Sequence, residues 1–264
     1  MARRLGDEAA EAIALSDLAG LRRMQGRAGE ALVLTDQALA RRRGLGVLPR
    51  VQRCLNNRGL LLESLGRYAE CETALRESLA LARQAGDADG EAVVHSNLGD
   101  LYEHSDPRAA IEWHERSLVL GEAMGDSRVR ESGHRNIGYA HLTLGEPAGA
   151  LEHFDRAPSI SDGVDWRSGS QTRLGLVRAL RDLDRSERAA RECALLLERA
   201  ERRADRYTAG LARHQQGLLH RSAGRTEETY EQWELTLDEL DDLDGTDSPV
   251  VEELRDLLLS HRFG

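Results

Sequence analysis

A small residue recurs along this chain at a nearly constant interval. Ala19, Gly59, Gly99, Gly138, Val177 and Gly217 are spaced 40, 40, 39, 39 and 40 residues apart. Beyond each lies a turn: MQGRAGEA at 24–31, SLGRYAEC at 64–71, HSDPRAA at 104–110, TLGEPAGA at 143–150, DLDRSERA at 182–189 and SAGRTEET at 222–229. Each turn opens a second apolar-periodic stretch. Those stretches close at Leu39, Leu79, Leu118, Pro158, Leu197 and Leu237, at intervals of 40, 39, 40, 39 and 40. Two independent landmarks with one period define a repeat protein, whose units bury their apolar faces by stacking on one another.

The period inside each unit is that of a helix. Val51, Cys54, Leu55, Leu61, Leu62 and Leu65 fall on or near one helical face, and Ala74, Leu75, Ser78, Leu79 and Ala82 do the same in the next stretch. A glycine inside a helix costs roughly 1 kcal/mol, so its recurrence predicts a place where two axes come close. The loop glycines Gly66, Gly145 and Gly224 suit the position just past a helix end. No alternating β run of useful length exists. The expected fold is all-α, a solenoid of about six helix-turn-helix repeats near 8–46, 47–86, 87–125, 126–164, 165–204 and 205–247. A capping helix over 248–264 is opened by the N-cap and N1 pair Ser248-Pro249. Pro158 should end the second helix of the fourth repeat near Ala157 and leave a loop over 158–167, either a hinge or a merely shortened helix. ARRLGD at 2–7 matches ARQAGD at 82–87 and reads as the tail of a second helix, as in a chain that starts inside a repeat or is a piece of a longer one.

The segments NRGLLLESLGRYAECETALRESLALA at 57–82, SNLGDLY at 96–102 and NIGYAHLTLGEPAGALEHFDRA at 136–157 resemble the tetratricopeptide repeat (TPR) family. Ala31, Ala110, Ala150 and Ala189 occupy the family's alanine early in the second helix, with Cys71 and Thr229 in that slot elsewhere. The 39–40-residue period exceeds the family's usual length of about 34, and the usual early tryptophan and closing proline are mostly missing. The longer variant is similar to the C-terminal TPR arrays of bacterial signal-transduction ATPases and transcriptional regulators, to kinesin-light-chain-type arrays and to peptide-pheromone receptors. The resemblance implies a right-handed superhelix whose first helices line a concave, ligand-holding face.

Composition removes several chemistries. All 36 basic residues are arginine, so neither a Walker A lysine nor a Schiff-base lysine exists in this segment. The lysine-asparagine carboxylate clamp of chaperone-binding TPR proteins is excluded for the same reason. The net charge of −10 is carried by residues 226–247, which hold ten acids and no base, while the rest of the chain is balanced. That run opposes contact with nucleic-acid phosphates, as the short Arg41-Arg42-Arg43 triplet at a helix end does little to favour it. No apolar run approaches the ~20 residues of a membrane span, and MARRLGDEAA lacks a signal-peptide core. Three cysteines give neither a disulfide framework nor metal spacing, and Cys54 and Cys71 fall in facing helices where they could touch. Nine histidines form no HExxH or HxxxH pattern, and no GxSxG elbow occurs. The expectation is a non-enzyme with no cofactor and no metal, in the cytoplasm.

The candidate binding residues follow from the register. Asn57, Asn97 and Asn136 stand two residues before the glycine landmark, a ladder of amides able to pair with the backbone of an extended peptide or, more simply, with a neighbouring repeat. Asn56, Arg135 and His214 stand three before it, Asp100, Tyr139 and Arg178 one after, and Glu63, Glu103, Arg181 and Arg221 four after. The wall is thus acidic near Glu63, Asp100 and Glu103 and basic near Arg135, Arg178, Arg181 and Arg221, where an acidic peptide segment could find bidentate arginines. The expected partner is a protein or peptide, with this chain the sensor or interaction part of a bacterial regulator. An intramolecular role, inhibiting an ATPase or DNA-binding module of the same polypeptide, is the second reading. Pairing with a second chain through the N-terminal repeat face stays open.

Overall fold

A computed structural model describes residues 2–157, 165–240 and 249–263. Every element in it is a helix: α1 (Ala2–Met24), α2 (Ala28–Leu45), α3 (Leu48–Ser64), α4 (Tyr68–Ala85), α5 (Ala88–Tyr102), α6 (Pro107–Met124), α7 (Ser127–Thr143), α8 (Pro147–Arg156), α9 (Trp166–Asp182), α10 (Ser186–Arg202), α11 (Arg206–Ser222), α12 (Thr226–Leu240) and α13 (Pro249–Phe263). The described residues form two compact units, Met1–Ala140 and His141–Gly264, and the division falls inside α7.

The turns explain where the helices stop. Gly66 has φ +71°, its N–H bonding the carbonyl of Glu63 at 2.8 Å while Arg67 N–H bonds that of Leu62 at 2.8 Å. This paired closure satisfies carbonyls that a helix end leaves free. Asp184 and Ala204 take the same left-handed conformation at φ 56° and 54° without being glycine, a strain of about 1–2 kcal/mol that the same paired bonds hold in place.

Unit 1 is built by hairpins that share cores with their neighbours. Ala31 and Leu32 of α2, Leu61 and Leu62 of α3, Cys71, Ala74, Leu75 and Leu79 of α4, and Val94 and Leu98 of α5 form one buried cluster. Gly59 marks the tightest approach: a Cβ there would come within 2.7 Å of Leu75. Gly99 likewise makes room for the His114 ring. Buried serines tie second helices to first ones. Ser78 Oγ donates to the carbonyl of Gln52 at 2.9 Å and Ser117 Oγ to that of Ala92 at 2.9 Å. The alanine slot is closed throughout, with Ala31, Cys71, Ala110, Ala150 and Ala189 at 0% exposure.

In unit 2, Phe154 of α8 seats its ring over Gly175 of α9, and Trp233 of α12 seats its indole over Gly217 of α11. Trp233, Leu254 and Leu258 form a cluster through which α13 covers the α11/α12 hairpin.

Three expectations change. Residues 2–7 are not the tail of a separate helix but run unbroken into α1, because the one weak helix former there, Gly6, costs only about 1 kcal/mol among good helix formers. Cys54 packs with Ala38, Leu39, Val51 and Leu55, whereas Cys71 lies in the other cluster, since the two side chains leave their helices toward different neighbours. The loop expected over 158–167 is shorter at its far end: Asp165 caps α9, its carboxylate accepting from Arg167 N–H at 3.2 Å. Helix α8 stops at Arg156. Pro158 and the candidate hinge, Ser248 and the acidic stretch from 241 to 247 lie outside the described residues.

The Gly217→Ala variant should lose about 1–3 kcal/mol in urea unfolding, because the new methyl overlaps the buried Trp233 indole. Gly20→Ala in α1 meets nothing within 4 Å, so it should be neutral or stabilising by up to about 1 kcal/mol.

Candidate binding faces of the first helices

Successive first helices touch within each unit, α3 with α5 and α9 with α11. Polar side chains line these contacts. Asn97 Nδ2 donates to Asn56 Oδ1 at 2.7 Å, and Asn136 Nδ2 donates to Asp100 Oδ1 at 3.1 Å. Two members of the asparagine ladder thus spend an amide proton on the preceding repeat. Asn56 is buried, Asn97 and Asn136 are half-buried, and Asn57 is exposed. Arg135 and Tyr139 are half-buried in the same unit.

The acidic stretch of wall becomes a groove of about 610 Å³, lined by Glu63, Tyr68, Glu72, Asp100, Tyr102 and Glu103 together with Ala69, Leu101, His104 and Ser105. Burial pushes the Asp100 carboxyl up to about 7, with Glu63 and Glu103 adding to the rise and Arg135 opposing it. Burial, then Glu103, also raises Glu63. Beneath Asp100 lies His114, 2% exposed, with Nε2 at 3.7 Å from Asp100 Oδ1; burial and then Arg135 lower it to about 4. Tyr102 Oη donates to Glu72 Oε1 at 2.6 Å. The sequence register found Glu63, Asp100 and Glu103 but not Tyr68, Glu72 or Tyr102. The available signal was Tyr68, an aromatic two residues past the turn glycine Gly66.

In unit 2 the basic residues gather as the register expects. Arg181 Nη1 donates to Gln215 Oε1 at 2.6 Å and Nη2 to Asp182 Oδ1 at 2.8 Å, so this guanidinium bridges two first helices. His214 is 9% exposed; burial lowers its pKa, Glu253 opposes, and Arg181 and Arg178 add to the lowering. Arg178 is exposed, and Arg221 lies 5.8 Å over the Trp233 ring. The Arg41-Arg42-Arg43 triplet is consumed locally: Arg41 pairs with Glu11 at 3.0 Å, Arg42 Nη1 donates to Cys54 Sγ at 3.2 Å, and Arg43 pairs with Glu77 at 2.5 Å.

Burial pushes the thiols of Cys71 and Cys193 up to about 12, which keeps them protonated and non-nucleophilic at neutral pH. Among the described residues no group of three or more His, Cys, Asp or Glu side chains is arranged to hold a metal ion. No described helix is long and apolar enough to cross a membrane.

Comparison with known proteins agrees with this architecture. Residues 51–121 match the tetratricopeptide repeat family model. That stretch is TPR sequence. Solved structures extend the likeness in fold. The apo form of the quorum sensor NprR from B. thuringiensis is similar at TM-score 0.67 and 13% identity, over 99% of this chain and 82% of that one. A signal transduction ATPase with numerous domains (STAND), which carries a TPR sensor, from Pyrococcus horikoshii is similar at TM-score 0.62 and 17% identity, over 97% of this chain and 45% of that one. YrrB, a TPR protein with an unusual peptide-binding site, is similar at TM-score 0.50 and 17% identity, over 77% of this chain and 91% of that one. No curated protein matches the chain in sequence.

Two stability measurements check the geometry. Asn97→Ala should cost about 1 kcal/mol through the lost bond to Asn56, while Asn57→Ala, which breaks no bond, stays within about 0.5 kcal/mol. Asp100 binds a proton in the folded state between its ordinary 3.8 and about 7, so its contribution to stability falls as pH rises through that window. His114 has the opposite sign between about 4 and 6.5, its contribution rising with pH. Asp100→Asn removes the falling limb alone, so the variant should gain stability relative to the parent from pH 5 to pH 8 in parallel urea titrations.

Proposed function

We propose that this protein is a non-catalytic TPR scaffold that holds a protein or peptide partner on the faces of its first helices, as the sensor or interaction part of a bacterial cytoplasmic regulator. The observation that carries the reading is the polar lining of those faces, exposed at Asn57, Arg178 and Arg221 and half-buried at Asn97, Asn136, Tyr139 and Arg181. A core-only surface would bury such groups or leave them scattered. Here they recur at the repeat interval, and amide and guanidinium groups are the types that suit peptide carbonyls and carboxylates. The peptide-binding site of YrrB and the TPR sensor of the STAND protein support the same use of the fold.

A second reading, that the repeats restrain an ATPase or DNA-binding module of the same polypeptide, draws on one observation. Nearly all of this chain aligns with under half of the STAND protein, whose remaining length is other sequence.

The reading is tested by selecting a displayed library of random dodecapeptides on the intact chain and measuring the winners by calorimetry. Enrichment of peptides that bind at micromolar concentration is expected, with at least a tenfold loss in a variant combining Asn57→Ala, Arg178→Ala and Arg221→Ala whose thermal unfolding is unchanged. No enrichment, or winners indifferent to all three changes, sinks it.

A further inference from the structure

We infer that the groove of unit 1 takes a cationic side chain, an arginine or lysine presented by an extended peptide. The inference rests on the peptide-binding reading and specifies its chemistry.

Charge complementarity is the first support. Glu63 at the end of α3 and Glu103 just past α5 have no cationic partner among the described residues, although each influences the carboxyl of Asp100 between them. The groups facing Asp100 from the surrounding helices are Glu63 on α3, His114 on α6, and Arg135 and Asn136 on α7. On α4, Glu72 is engaged by Arg76 at 2.6 Å and by Tyr102. Among the described residues, Arg135 is the cation that acts on Asp100. It opposes the set without outweighing it: burial first, then the charges of Glu63 and Glu103, hold the Asp100 carboxyl up at about 7 against it. A peptide cation between Glu63, Asp100 and Glu103 would relieve that repulsion. A neutral or acidic side chain would not.

Backbone polarity adds to this. Both α3 and α5 end at the groove, where their C-terminal carbonyls favour a cation close to Glu63 and Glu103, offset in part by the N-terminal ends of α4 and α6 that begin just beyond.

The third support is shape and aromaticity. Tyr68, which lines the groove, is 61% exposed. A phenol face flanking carboxylates can cover the stem and charge of an arginine or lysine at once. Below the wall, His114 is buried with no partner for Nδ1, and its pKa near 4 keeps it neutral. The floor therefore adds no positive charge to repel the guest.

The test extends the library selection. Parent chain and a Glu63→Gln/Glu103→Gln double variant are selected in parallel, and winning peptides are resynthesised with the candidate cation replaced by glutamine. The parent should enrich peptides with an arginine or lysine at one fixed place, and its replacement should weaken binding at least tenfold at low salt. The double variant, whose thermal unfolding should match or exceed the parent's, should lose that preference. Affinity of the parent for the cationic peptide should also rise from pH 6 to pH 8 as Asp100 ionises, with the rise blunted in Asp100→Asn. The inference is overturned if winners show no cation preference, or if the preference survives in the double variant. Either result leaves the peptide-binding reading intact, whereas a library from which nothing binds the parent removes both.

Discussion

Close approach between first and second helices, at a position without a side chain, is the constraint on which the other features depend. Gly59, Gly99 and Gly217 each receive a different filler, Leu75, His114 and Trp233. The hole is set by the backbone, so the filler can vary as long as it is large. The two large buried rings, Phe154 and Trp233, sit over such glycines, while alanine at the closed slot and leucine around it fill the rest of the core. Where the filler is polar, the consequence is chemical. His114 is forced into an apolar hole, loses its proton, and is left facing Asp100 from below.

Stacking of one repeat on the next uses a second set of contacts, and these draw on the residues best suited to ligands. Asn97 and Asn136 give amide protons to the preceding repeat, and Arg181 bridges α9 to α11 through Gln215. Each retains some capacity, an amide oxygen or the remaining guanidinium edge, so a bound segment would meet groups already held in place. Preorganisation of this kind reduces the ordering cost of binding. Asn57 is exposed and is not tied to a neighbouring repeat in this way.

The hairpins were legible in the sequence because period is a collective property: a misread residue does not move a landmark repeated at 39–40. The positive-φ turns at Gly66, Gly145 and Gly224 were legible because one residue type answers one backbone need. What sequence could not settle was where a polar side chain spends its bonds. Asn56 and Asn97 are 41 residues apart and meet only because two helices stack at that distance in the chain. The same limit hid the groove. Glu63, Asp100 and Glu103 were visible as an acidic register, but their mutual pressure, and the tyrosines that complete the wall, come from the ends of three helices meeting. The difference at residues 2–7 has another origin: Gly6 resembles the helix-ending Gly86 in sequence, but it lies inside α1.

Charge in this protein is therefore better understood by place than by sum. Many of the described surface arginines are paired at short range, as Arg67 is with Glu70 or Arg188 with Asp155, and such exposed pairs contribute little to stability. The groove is the exception, because its carboxylates are not free to separate. Asp100 is pinned by Asn136 and sits over the His114 ring, which is itself lodged against Gly99. Glu63 and Glu103 ride on helix ends fixed by the turns that follow them. The bonds that stack the repeats thus hold three carboxyl groups close together, and the buried Asp100 answers that placement by keeping its proton to higher pH than an exposed aspartate would.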